Sequence, residues 1–107
     1  MALEISDTLV IPKPAYNILR RLTGESRPDI ALSLALKDLA RLRLEVARAT
    51  AADLEQKYGI PFEQFAALWQ TGKIAEAYSY AVEQDYWNWE SAVTDIQLLE
   101  EILSGMA

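Results

Sequence analysis

Read along the chain, apolar residues recur first with period two and then with periods of three and four. From Leu3 to Ile11, Leu3, Ile5, Leu9 and Ile11 fall on one side and Glu4, Ser6, Thr8 and Val10 on the other. Alternation over a β-prone stretch predicts a short strand, with Asp7 as its flaw and Pro12 and Pro14 ending it. One strand cannot satisfy its own backbone. No second strand is evident elsewhere, so the simplest partner is the same strand of a second subunit, in a homodimer.

Four helices follow in the pattern, two short and two long. Ala15 to Leu22 is a short one with Pro14 at its start, Gly24 beyond its end and Tyr16, Ile18, Leu19 and Leu22 on its apolar face. Ser26 is the expected cap of the next helix, with Asp29 completing a capping-box-like start and Pro28 tolerated in the first turn. That helix runs to Tyr58 without a breaker, a span of about 45 Å at 1.5 Å per residue. Leu32, Ala35, Leu39, Leu42, Val46 and Ala49 form its heptad stripe, widened by Leu34, Leu36 and Leu44. Such a length suggests packing on another element or subunit. Gly59-Ile60-Pro61 breaks it. Phe62 to Gln70 is the third helix, closed by Thr71-Gly72. Lys73 to Ser104 is expected as one long fourth helix with the stripe Ile74, Tyr78, Val82, Trp89, Ala92, Ile96, Leu99 and Leu103. Asp85 falls on that stripe and must be exposed or paired. The expected fold is therefore mostly α, with a short N-terminal strand that pairs in a dimer.

Charge divides the chain. Net charge is −6. Residues 1–57 carry nine Lys and Arg against eight acids, whereas residues 58–107 carry only Lys73 against eight acids. Two parts with different partners fit that split, 1–57 for dimerisation and 58–107 as an acidic helical arm; two ordinary solvated helix faces fit it as well. No stretch is long and apolar enough to span a membrane. The opening residues lack the basic-then-apolar pattern of a secretory signal. With no cysteine among the 107 residues, the expectation is a soluble cytoplasmic protein.

Candidate chemistry narrows the function by what it lacks. There is no His or Cys, no glycine-rich phosphate loop and no nucleophile elbow, so the residues point to a binding protein without a cofactor rather than to an enzyme. Acidic neighbours such as Glu83, Asp85 and Glu90, or Glu100 and Glu101, read as a solvated face rather than a metal or acid–base pair. The zinc ligands Cys and His are missing. On the second helix Lys37, Arg41 and Arg48 share a face, which fits a phosphate-facing stripe diluted by Asp38 and Glu45 or, more simply, a solvated face with local pairing such as Arg41 with Glu45.

The aromatic cluster of Tyr78, Tyr80, Tyr86, Trp87 and Trp89, threaded by acids, is the most unusual stretch. Trp87 and Trp89 lie about 200° apart on a helix, so in an isolated chain at least one of them is exposed. The cluster serves either as a partner-binding anchor or as core, meeting Phe62, Phe65 and Trp69 on one side and the long second helix on the other. Acidic flanks disfavour stacking on nucleic acid.

Two stretches resemble a known family. Leu9-Val10-Ile11-Pro12, then Ile18 to Leu22, then Gly24-Glu25-Ser26-Arg27-Pro28-Asp29-Ile30-Ala31 with Ala35-Leu36, resembles a ribbon-helix-helix module over residues 3–45. Leu54-Glu55-Gln56-Lys57-Tyr58-Gly59-Ile60-Pro61-Phe62-Glu63-Gln64-Phe65, the turn at Gly72 and Asp85-Tyr86-Trp87-Asn88-Trp89-Glu90 are similar to the C-terminal arms of small prokaryotic antitoxins. The resemblance implies an antitoxin of a toxin–antitoxin pair whose arm covers a toxin protein through Phe65, Trp69, Tyr78, Asp85, Tyr86, Trp87, Trp89 and Glu90. It also implies an operator-binding dimer, with Lys13, Arg20, Arg21 and Arg27 on the phosphates and Thr8 at the bases. Against DNA binding, the outward strand residues include no Lys, Arg, Asn or Gln, and Glu4 and Asp7 repel phosphates. The alternative is a homo-oligomeric helical structural or adaptor protein with neither toxin nor DNA as partner.

Overall fold

In a computed structural model that describes residues 10–106, the chain is mostly helical. Helix α1 spans Lys13–Thr23, α2 Pro28–Tyr58, α3 Phe62–Gln70 and α4 Tyr80–Gly105. The expected strand over Leu3 to Ile11 lies almost wholly outside the described residues. Its last two positions, Val10 and Ile11, are in neither helix nor strand. No helix among the described residues is long and apolar enough to cross a membrane.

Backbone contacts divide the chain into two compact units, Met1–Leu39 and Ala40–Ala107. The division falls inside α2, whereas the charge split placed it after residue 57. The α2 residues from Ala40 onward belong with α3 and α4.

In the first unit, α1 begins with its Tyr16 N–H bonded to the Pro12 carbonyl at 2.9 Å, which leaves Pro14 in the first turn, where a missing N–H costs nothing. It ends at Gly24, left-handed at φ 74°, whose N–H returns to the Arg20 carbonyl at 2.8 Å. The start of α2 differs from the expected Ser26 cap by one residue. The Arg27 carbonyl takes the first helical N–H, from Ala31 at 2.8 Å, so Arg27 is the cap and Pro28 the first helical residue, the position proline favours. Glu25 Oε1 accepts the Arg27 N–H at 3.1 Å, and the Tyr16 hydroxyl donates to the Ser26 carbonyl at 2.5 Å, fastening α1 to this entry.

In the second unit, α2 and α4 run antiparallel: Lys57 and Tyr58 meet Asp85, and Arg48 meets Glu100. The short α3 lays Phe62 and Phe65 on Tyr86 and Trp89. The largest fully buried side chains are Trp89 and Phe65, 1% and 0% exposed, joined in the core by Leu54 and Tyr86. The face of α2 that packs carries Ala40, Leu44, Ala47, Ala51, Leu54 and Tyr58. The expected stripe is a different one. Leu39, Leu42 and Val46 lie about 120° round the helix from the packed face and stay exposed. Alanines at three of the six packed positions explain the choice, because small residues let a neighbouring helix come closer.

Helix α4 starts seven residues later than the expected Lys73. Gly72 N–H bonds the Trp69 carbonyl at 3.1 Å and Lys73 N–H the Leu68 carbonyl at 2.8 Å, the paired bonds of a Schellman turn closing α3. Ile74 then packs on the core, and Glu76 adopts φ 57°, which no right-handed helix passes through. Ser79 caps α4, its Oγ accepting the Val82 N–H at 3.3 Å, with Glu83 in the first turn favoured by the helix dipole.

Replacing the buried rings should decide whether this unit stands. Trp89→Ala or Phe65→Ala is expected to cost about 3–5 kcal/mol, enough to unfold a marginal domain, in urea titrations followed by circular dichroism. Trp87→Ala should cost under about 1 kcal/mol in the same titration.

Candidate functional site

The aromatic residues singled out from the sequence separate into two populations. On the inward face of α4, Trp89 lies 5.1 Å from Phe65, 5.4 Å from Phe62 and 5.9 Å from Tyr58, centroid to centroid. Tyr86 stacks on Trp69 at 4.6 Å and faces Phe65 at 6.1 Å. Tilted and offset rings at these distances suit the ring quadrupoles. Phe65, Tyr86 and Trp89 are core residues; a partner could touch them only by opening the unit. Trp69 is half-buried against the same cluster.

On the outward face of α4, Trp87 is 53% exposed and Tyr80 more so, as is Tyr78 in the turn ahead of the helix. Glu90 is also exposed. The helical offset between Trp87 and Trp89 forces this division: with one indole buried, the other must face out. Trp87 rests its ring edge near Tyr86, 5.1 Å between centroids, so the exposed indole has a firm footing. Along its length α4 carries Glu83, Asp85, Glu90, Asp95, Glu100 and Glu101 and no Lys or Arg.

Asp85 is the one acid on the packed stripe, and it is paired there. Its Oδ2 accepts from Lys57 Nζ at 2.6 Å and from the Tyr58 hydroxyl at 2.7 Å, while Lys57 Nζ also sits 5.6 Å from the centre of the Tyr58 ring. Partial burial alone would raise the Asp85 pKa. The hydrogen bonds from Lys57 and Tyr58 and the lysine charge outweigh it and hold the carboxyl below its ordinary value. Tyr58 is pushed up to about 12, chiefly by burial and then by its bond to the Asp85 carboxylate and that carboxylate's charge. The sequence placed Asp85 on the seam but gave no sign of Tyr58 as its partner, because the contact joins residues 27 apart.

Ion pairing on α2 runs across to its neighbour rather than along the helix. Arg48 reaches Glu100 at 2.6 Å, with both side chains more than half exposed; among the described residues the expected Arg41–Glu45 pair does not form. Of the residues assigned to DNA by the resemblance, Lys13, Arg20 and Arg21 are exposed on α1. Arg27 lies 3.8 Å from Asp29, and Thr8 lies outside the described residues. No group of three or more His, Cys, Asp or Glu able to hold a metal ion occurs among the described residues, and none of their polar or charged side chains is buried.

No family model matches the chain, and no curated protein or solved structure matches it.

The Lys57–Tyr58–Asp85 contact should set the pH limits of the fold. Asp85 has a depressed folded pKa, so its contribution is complete above the unfolded value of about 3.9 and fades as pH falls through the folded value. Tyr58 has a raised one, so its contribution is complete below about 10 and is lost as pH rises towards about 12. In urea titrations from pH 3 to 12, roughly the window these shifts define, Tyr58→Phe should flatten both the alkaline and the acid decline. Parallel declines in the two proteins would show the contact is energetically idle.

Proposed function

We propose that the protein is an antitoxin-like binding protein that sequesters a basic protein partner on the acidic outer face of α4, with Trp87 as the anchor. The observation that carries this reading is a half-exposed indole braced by Tyr86 on a helix with six acids and no basic residue. Tryptophan is enriched among the residues that dominate interfaces. Acidic charge speeds encounter with a basic partner, and the apolar anchor lengthens its residence. Phe65, Trp69, Tyr86 and Trp89 act in this reading as the scaffold that holds Trp87 outward. Asp85 has the same part, through Lys57 and Tyr58, Glu90 lies one turn from the anchor, and Tyr78 is an exposed ring ahead of α4.

Operator binding is the weaker half of the antitoxin reading. It rests on Lys13, Arg20 and Arg21 of α1, which could hold phosphates but read no bases. A second reading, the homo-oligomeric helical adaptor, is favoured by one observation, the exposed Leu39, Leu42 and Val46 of α2.

Co-expression with the product of the adjacent gene, followed by size exclusion, separates the two readings. The expected result is a stable complex that weakens with salt. Trp87→Ala should reduce its affinity by roughly 2 kcal/mol, about thirtyfold, while leaving helix content unchanged. A complex untouched by Trp87→Ala would move the interface off α4, and the chain eluting alone would overturn sequestration of that product.

A further inference from the structure

α2 carries a second apolar stripe that no part of the second unit covers. In heptad terms Leu39 and Val46 occupy position a and Leu42 and Ala49 position d. Leu39, Leu42 and Val46 are 48%, 58% and 59% exposed on an unbroken helix of 31 residues. The packed residues Ala40, Leu44, Ala47 and Ala51 occupy b and f, about 120° away, and α4 borders the seam only along the groove that Arg43 and Val46 share with Ser91 and Asp95.

Flanking charges say what that occupant is. Asp38 and Glu45 are the g residues on one side of the seam and Arg43 the e residue on the other, all exposed. In a parallel, in-register pair of α2 helices, g faces the e residue five positions on in the other chain. Asp38 of each copy then meets Arg43 of the second copy, twice by symmetry. In an antiparallel pair g faces g and e faces e, setting acid against acid and Arg43 against Arg43. A β-branched Val at a with Leu at d also suits two parallel strands.

We infer that a second copy of this chain docks on the α2 seam, parallel and in register, through Leu39, Leu42 and Val46, with Asp38 and Arg43 setting the direction. The inference is independent of the partner proposed for α4, because the anchor Trp87 is not part of the groove that Arg43 and Val46 share with α4. Failure of one leaves the other standing.

The absence of native cysteine allows a clean test in the full chain. Single variants Leu39→Cys, Leu42→Cys and Val46→Cys are oxidised mildly and run on non-reducing gels. A parallel in-register pair brings like positions within disulfide reach along the whole seam, so all three should cross-link to dimer. An antiparallel pair brings like positions together only at its centre, so cross-linking at one alone would overturn the register. Cross-linking at none, or a monomer by sedimentation at high micromolar concentration, would overturn the seam. The charges are tested separately: Arg43→Glu should weaken the dimer about tenfold at low salt. Adding Asp38→Arg should restore it. A double variant no better than the single would remove Asp38 and Arg43 from the interface. Circular dichroism of each variant checks that the helices persist.

Discussion

Packing of the Phe65 and Trp89 rings is the interaction on which the second unit depends. Neither α3, with nine residues, nor the end of α2 is stable alone. What fixes them is that Trp89 presents one ring to three neighbours at once: Phe62 and Phe65 of α3 and Tyr58 of α2. The turn at Gly59, left-handed at φ 73° with its N–H returned to Glu55 at 2.7 Å, folds α3 back to make that meeting possible. Once Trp89 is fixed, α4 has one allowed rotation. Asp85 is brought to the end of α2, where Lys57 and Tyr58 receive it, and Trp87 is turned outward. The exposed aromatic is thus a consequence of the buried one.

The same constraint explains why α2 is greasy on more than one side. Ala40, Leu44, Ala47, Ala51, Leu54 and Tyr58 form one apolar row, and Leu39, Leu42, Val46 and Ala49 another. A row of alanines is poorly marked by hydrophobicity but well suited to close helix approach. The leucine-rich row is strongly marked and left exposed. Such a row in contact with water carries the risk of non-specific association, unless flanking charge restricts which partner, and which direction, is accepted. Asp38, Arg43 and Glu45 impose such a restriction.

Much of the helical layout was legible because glycine and proline act locally. Gly24, Gly59 and Gly72 follow the last residues of α1, α2 and α3 within a position or two, and α3 begins and ends at the residues its pattern marks. The starts of α4 and α2 escaped for the same kind of reason. Residues 73–79 have good helix propensity, yet Ile74 joins the core and Glu76 turns left-handed, a tertiary demand that propensity does not encode. At the entry to α2, Ser26 has the better capping side chain, but Pro28 fixes the first helical position one residue later. The face of α2 that packs inside the second unit differs from the expected stripe because periodicity measures greasiness rather than contact. Of the site, the outward–inward division of Trp87 and Trp89 follows from helix geometry alone. Which indole goes in depends on Phe62 and Phe65, which only the folded chain brings near. The Tyr58–Asp85 bond is a long-range pairing that no local pattern announces.

The distribution of acid on α4 bears on how its outer face could work. Two of its six carboxylates are answered within the second unit, Asp85 by Lys57 and Tyr58 and Glu100 by Arg48. Asp85 lies largely covered on the side that packs toward α2, where an unanswered charge would oppose folding, whereas Glu100 stays half exposed. Glu83 and Glu90, near Trp87 along the helix, are not among the ion pairs of the described residues. Their field is screened over about 8 Å at physiological salt, so it acts on a partner close to contact rather than at long range. A basic surface approaching Trp87 would exchange solvent screening for direct pairing as the indole is covered. Folding thus leaves, beside its one braced and exposed indole, carboxylates that form no ion pair among the described residues.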